Sequence, residues 1–229
     1  MRDWTKLKAN DGHQLGAYIA TPETEPIAAL VVIQEIFGVN KSIRDVADDY
    51  ANRGFIAIAP ALFDRFEPDV DLGYGPADMQ RAFQHFYPKL DPSVSLLDIA
   101  AAFHHVKQAG KPTGVLGFCY GGLTTWLSAT RGENLKMQPG CCVGYYPGGV
   151  GKVAAEEPVC PVMLHFGAAD DHIGPDQIDA VRTAHPNVEI FVYPGVGHAF
   201  ANPDRPSYNA EAAALAHQRS LAFLKANLA

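Results

Sequence analysis

The chain has 229 residues, 48% of them hydrophobic, enough to bury a sizeable core within a single α/β domain spanning residues 1–229. Its net charge is −7 and its 18 basic residues are scattered, which excludes a cationic stripe for nucleic acid or an anionic membrane surface. No apolar run approaches the roughly 20 residues needed to span a bilayer, and residues 1–6 lack the apolar core of a signal peptide, so a soluble cytoplasmic protein is expected, as a monomer or weak homo-oligomer.

Along the chain, Leu7-Lys8 and residues 14–20 flank Asn10-Asp11-Gly12, whose Asp-Gly step suits a tight turn, so an antiparallel hairpin is predicted to open the sheet. Residues 28–33 form a continuous apolar run of the kind found in a strand covered on both faces. A helix is predicted near 42–53, then a strand at 55–59 stopped by Pro60. Residues 64–74, rich in Asp, Pro and Gly, read as a surface loop beside the site. Helices are expected at 79–87, 94–107, 123–129, 175–184 and 211–227, and strands at 115–118, 142–145, 162–166 and 188–193. This alternation predicts a mainly parallel central sheet with helices on both faces, because each parallel crossover returns the chain through a helix. The active site then belongs beyond the carboxyl ends of the strands.

One segment carries the most chemistry: Val115-Leu116-Gly117-Phe118-Cys119-Tyr120-Gly121-Gly122. A short apolar strand enters a glycine-flanked turn and continues into a helix, the form of a nucleophile elbow with cysteine at its apex. Cys141, Cys142 and Cys160 fall at or beside apolar runs, where a buried, inert thiol is the usual role. The cysteines show no Cys-x-x-Cys pairing and no His-x-x-x-His partner, so neither a metal centre nor a disulfide framework is expected.

A thiol nucleophile requires a base, a group to orient that base, and donors for an oxyanion. His198 lies in Gly195-Val196-Gly197-His198-Ala199-Phe200, after one predicted strand and before the last helix. Asp170 lies in Gly167-Ala168-Ala169-Asp170, just past another strand end, with Asp171 as its immediate competitor. The chain order nucleophile, acid, histidine is that of α/β-hydrolases. The other eight of the nine histidines read as surface or satisfied core residues.

On Gln34-Glu35-Ile36-Phe37-Gly38, Gly117-Phe118-Cys119-Tyr120-Gly121-Gly122, Gly167-Ala168-Ala169-Asp170 and Gly197-His198-Ala199-Phe200, the chain resembles the dienelactone hydrolases, the carboxymethylenebutenolidases, over nearly its whole length. The resemblance implies an α/β-hydrolase fold and a hydrolase that opens dienelactone-type lactones in aromatic degradation, without metal or organic cofactor. It further implies Cys119 as nucleophile, His198 as base and Asp170 as the orienting acid. Glu35 would interact with the resting thiol and take up its proton as substrate binds. The backbone N–H groups of Ile36 and Tyr120 would receive the oxyanion.

For the carboxylate of a dienelactone, the resemblance implies two arginines. Arg81 matches the first; Asn202 stands where the second is expected, with Arg205 nearby. An asparagine cannot form the bidentate, charge-assisted pair. The alternative is therefore a thiol-dependent hydrolase of neutral esters, lactones or thioesters, with Phe37, Phe63, Tyr74, Tyr145 and Phe200 expected to line an apolar pocket.

Overall fold

The hairpin forms where its turn residues allow it. In the computed structural model, which describes residues 1–228, Gly12 adopts φ 92° between β1 (Arg2–Lys8) and β2 (Gln14–Ala20), and the two strands pair antiparallel. β2 then pairs antiparallel with β4 (Phe55–Pro60). From there the sheet is parallel through β3 (Ala28–Ile33), β5 (Thr113–Phe118), β6 (Cys142–Tyr145), β7 (Val162–Gly167) and β8 (Glu189–Tyr193). The spatial order is β1-β2-β4-β3-β5-β6-β7-β8. The strands β3 to β7 are buried along their whole length, as continuous apolar runs require. Pro60 closes β4 as its last residue, where a missing N–H costs the ladder nothing further.

Helices α1 (Lys41–Asn52), α3 (Pro92–Lys107), α4 (Tyr120–Arg131), α5 (Pro175–Ala184) and α6 (Ala210–Leu228) provide the crossovers and flanks. Asn40 caps α1 by accepting from Ile43 N, and Asp91 caps α3 by accepting from Ser93 N at 2.8 Å. The single helix expected at 79–87 is instead α2 (Pro76–Arg81), a widened π turn at Ala82–Phe86 and a 3-10 turn at Tyr87–Lys89. The change of pitch accompanies the stacking of Phe86 on Phe63 at 4.5 Å, and Pro88 cannot donate to continue the ladder.

The segment at 64–74 is held rather than loose. Arg65 donates to buried Asp98 at 2.7 and 2.8 Å and to Asp11 at 2.8 Å. Gly38, at φ 84°, lets Val70 O approach so closely that a Cβ there would lie 2.0 Å from it. That close approach seats the loop against the segment after β3 and carries Tyr74 to the site. Burial pushes the Cys141 thiol up to about 12, and pushes Cys142 up as well, in keeping with the buried setting expected of them; Cys160 departs from it, being only part-buried and donating to Cys142 Sγ at 3.8 Å.

Candidate active site

Cys119 occupies the turn between β5 and α4 at φ 56°, ψ −114°, a conformation that a non-glycine residue adopts only when its surroundings impose it. The glycines explain how. A Cβ on Gly117 would lie 2.2 Å from Gly121 O, one on Gly121 2.5 Å from the carbonyl oxygens of Ile33 and Gln34, and one on Gly122 2.6 Å from Tyr145 O. Only bare backbone lets the elbow nest against both β3 and β6. Cys119 N donates to Tyr145 O at 3.0 Å, and the side chain is half-buried rather than sealed.

The strand ends on one side of the elbow bring up an acid and a histidine. Asp170 follows β7; His198 lies in the loop after β8. The two loops lock together because Ala168 N donates to Tyr193 O and Ala169 N to Val196 O, both at 2.9 Å. Gly167 permits this approach, since a Cβ there would lie 2.4 Å from Val196 O. Asp170 Oδ1 accepts from the N–H of His172 at 2.8 Å and of Ile173 at 3.2 Å, leaving Oδ2 for His198 Nδ1 at 2.8 Å. The adjacent Asp171 is exposed.

Burial opposes charge on both members, and their pairing overrides it. For His198, desolvation works downward, but the Asp170 carboxylate, by hydrogen bond and charge, together with the neighbouring Cys119 sulfur, holds the imidazole up to about 10. For Asp170, burial works upward, while the His198 hydrogen bond and charge bring the carboxyl below its ordinary value. The Tyr146 ring packs edge-on against His198 at 5.0 Å and His172 lies at 5.1 Å, so both wall the imidazole.

Glu35 follows β3 and is 2% exposed. Its Oε2 accepts from Asn202 Nδ2 at 3.0 Å and from the Tyr74 hydroxyl at 3.2 Å, and it has no hydrogen bond to Cys119. Asn202 Nδ2 also reaches the Tyr74 oxygen at 2.8 Å, as does Asn40 Nδ2 at 3.0 Å. Burial pushes the Glu35 carboxyl above its ordinary value, against the lowering charges of Arg205 and His198 and the two hydrogen bonds. The Arg205 guanidinium lies over the rings of Phe37 at 5.4 Å and Tyr74 at 5.5 Å, and no carboxylate pairs with it among the described residues. The amides of Ile36 and Tyr120 have no partner among the described loop and turn hydrogen bonds, and Tyr120 N opens the first turn of α4.

Several expected lining residues lie elsewhere. Arg81 is on the surface, its guanidinium committed to Glu67 and to the face of the Phe86 ring, so it is not available in this arrangement to hold a ligand at Cys119. Tyr145 and Phe200 are fully buried: the Tyr145 hydroxyl bonds Ser220 Oγ at 2.7 Å in α6, and the Phe200 ring packs on Tyr146 and Tyr193. Phe63 belongs to the core with Phe86. Asn202 gives its amide N–H groups to Glu35 and the Tyr74 oxygen. Sequence reasoning passed over Tyr146 and His172, although both follow a strand end, the position that had singled out Asp170.

A mostly parallel eight-stranded sheet flanked by helices, with a cysteine at the strand-to-helix elbow and an acid and a histidine past later strand ends, defines an α/β-hydrolase. Residues 15–228 match the model of the dienelactone hydrolase family. The chain is 31% identical to a carboxymethylenebutenolidase of Pseudomonas putida, over 95% of this chain and 94% of that protein. A candidate dienelactone hydrolase structure from Klebsiella pneumoniae is similar with a TM-score of 0.82 at 29% identity, covering 97% of this chain and 98% of that one. A dienelactone hydrolase-like promiscuous phosphotriesterase from metagenomic libraries shares the fold at a TM-score of 0.76 and 20% identity, covering 100% and 99%. The chain therefore belongs to the dienelactone hydrolase family and is a hydrolase.

Proposed function

We propose that the protein opens an enol-lactone of the dienelactone type through Cys119, His198 and Asp170, by way of a cysteinyl thioester. The observation that carries this reading is the His198–Asp170 hydrogen bond of 2.8 Å beside a cysteine held at the elbow. Glu35 takes the thiol proton and turns to Asn202 and Tyr74, leaving the thiolate facing the His198 imidazolium. The thiolate attacks the lactone carbonyl, and the oxyanion is received by the Ile36 and Tyr120 N–H groups. Collapse breaks the ring C–O bond, and the imidazolium gives its proton to the departing enolate. Acylation also removes the negative sulfur, one of the charges that had raised His198, so the imidazole is then free to accept a proton from water. The hydroxide so formed attacks the thioester, the product acid leaves, and the departing thiolate takes the proton from His198, which restores the thiol for the next turnover.

Arg205 is the cation this reading assigns to the substrate carboxylate, because Arg81 is engaged with Glu67 and position 202 is asparagine. The same observations favour, as a second reading, a hydrolase of neutral esters, since a single guanidinium recognises an anion less firmly than two. Steady-state hydrolysis of a dienelactone beside a neutral aryl ester separates them. Strong preference for the dienelactone supports the first reading; turnover of the neutral ester alone supports the second.

A further inference from the structure

Behind Glu35, on the face of the sheet covered by α1 and α6, a cleft of about 310 Å³ runs in from the surface. Its rim is made by exposed residues, among them Asp45 and Asp49 on α1, Tyr208 in the loop before α6 and Ala214 within α6. Glu35, Phe118, Tyr146 and His217 lie deeper, and neither Cys119 nor His198 lines it. Two of these deep residues carry a buried polar atom without any hydrogen-bond partner among the described residues: Oε1 of Glu35 and the hydroxyl of Tyr146. They are neighbours electrostatically, since after burial itself the Glu35 charge is the largest influence raising the Tyr146 hydroxyl. Tyr146 is moreover held at φ 37°, a strained conformation for a bulky residue, at the end of β6. Two orphaned polar atoms at the base of a solvent-open cleft are a place for water, and the volume holds roughly ten molecules at liquid density.

We propose that this cleft is a hydrated proton port: water bound to Glu35 Oε1 and the Tyr146 hydroxyl connects the carboxyl to bulk solvent by a route separate from the substrate entrance. The inference rests on the reading that Glu35 accepts the thiol proton. In the proposed cycle, the proton moves from Cys119 Sγ to Glu35 and from Oε1 to cleft water. The imidazolium proton, drawn from solvent, goes to the enolate, and the proton taken from the attacking water returns to the departing thiolate through His198. One proton is released in net terms, with the product carboxylate. The arrangement lets Glu35 reset while acylated Cys119 and its substrate fill the other side.

Stopped-flow infrared spectroscopy tests the port. The protonated carboxyl band of Glu35, identified by its loss in Glu35→Gln, is followed on mixing with deuterated water at the lowest pH at which the protein stays folded. With Cys119 capped by a bulky maleimide, exchange of the parent band is expected to persist. With Ala214→Trp, or Val46→Trp from the opposite wall, it is expected to slow tenfold or more in the capped protein. Unslowed exchange in both plugged variants, or exchange abolished by the cap alone, overturns the proposal. A crystal structure showing the cleft dry at both Glu35 Oε1 and the Tyr146 hydroxyl overturns it as well. Failure of the underlying thiol chemistry would show separately, as esterase activity surviving in Cys119→Ala.

Discussion

Asp170→Asn isolates what the acid does, because the geometry dictates how an amide must sit. The N–H groups of His172 and Ile173 both donate to Oδ1, so the amide oxygen of an asparagine is required there. Its NH₂ then faces His198 Nδ1, which must become an acceptor, and the ring takes the tautomer with its proton on Nε2. That nitrogen faces the reaction and can no longer accept a proton from water. The imidazolium also loses the carboxylate that holds it up to about 10. A base in the wrong tautomer costs on the order of 10³–10⁴-fold, or about 4–5.5 kcal/mol of transition-state stabilisation. The loss falls chiefly on deacylation, so a p-nitrophenyl ester should give a burst of nitrophenolate followed by a nearly stalled steady state. Turnover by Asp170→Asn within tenfold of the parent would refute the tautomer argument.

Arg205→Gln is expected to raise KM for an anionic lactone about tenfold through loss of a charge-assisted contact, with KM for a neutral aryl ester unchanged within twofold. Equal effects on both substrates would remove Arg205 from anion recognition. Gly121→Ala places a Cβ 2.5 Å from two backbone oxygens, an overpacking of about 2–3 kcal/mol that should lower Tm by roughly 5–10 °C and reduce activity by displacing the elbow. An unchanged melting curve would contradict that packing. His165 is buried and bonded to Tyr193 and Ser220, and burial lowers its pKa to about 3. A depressed histidine contributes stability that is complete above about pH 6.5 and lost as pH falls toward 3, with a slope up to about 1.4 kcal/mol per pH unit. Urea unfolding of the parent and His165→Gln from pH 7 to 4 should therefore show a shallower acid slope in the variant; parallel slopes would refute the assignment.

The alternation of apolar runs and helical periodicity made the parallel sheet legible, because buried central strands leave little ambiguity in β3 to β7. Cys119, His198 and Asp170 stood out for a related reason: each follows a strand end, where glycines allow close backbone approach. The partners of Glu35 were hidden. Asn202 lies 167 residues away in the chain and Tyr74 lies 39 away, and nothing local in either segment announces a shared carboxylate. Arg81 matched a pattern in sequence, but a nearer carboxylate, Glu67, takes its guanidinium at the surface. Tyr145 was expected to line the pocket, and the adjacent Tyr146 was not singled out. The alternation of strand side chains sends Tyr145 into α6, while the positive φ of Tyr146 turns its ring toward His198, and that conformation has no signature in the sequence.

The most direct measurement of the central proposal is intact-protein mass spectrometry after rapid acid quench of the enzyme with a slowly deacylating ester or lactone, followed by peptide mapping. The account predicts an adduct of the acyl mass on the peptide containing Cys119, labile to hydroxylamine as a thioester and absent in Cys119→Ala, which should also be inactive. An acyl group on another residue, or full turnover by Cys119→Ala, would contradict it.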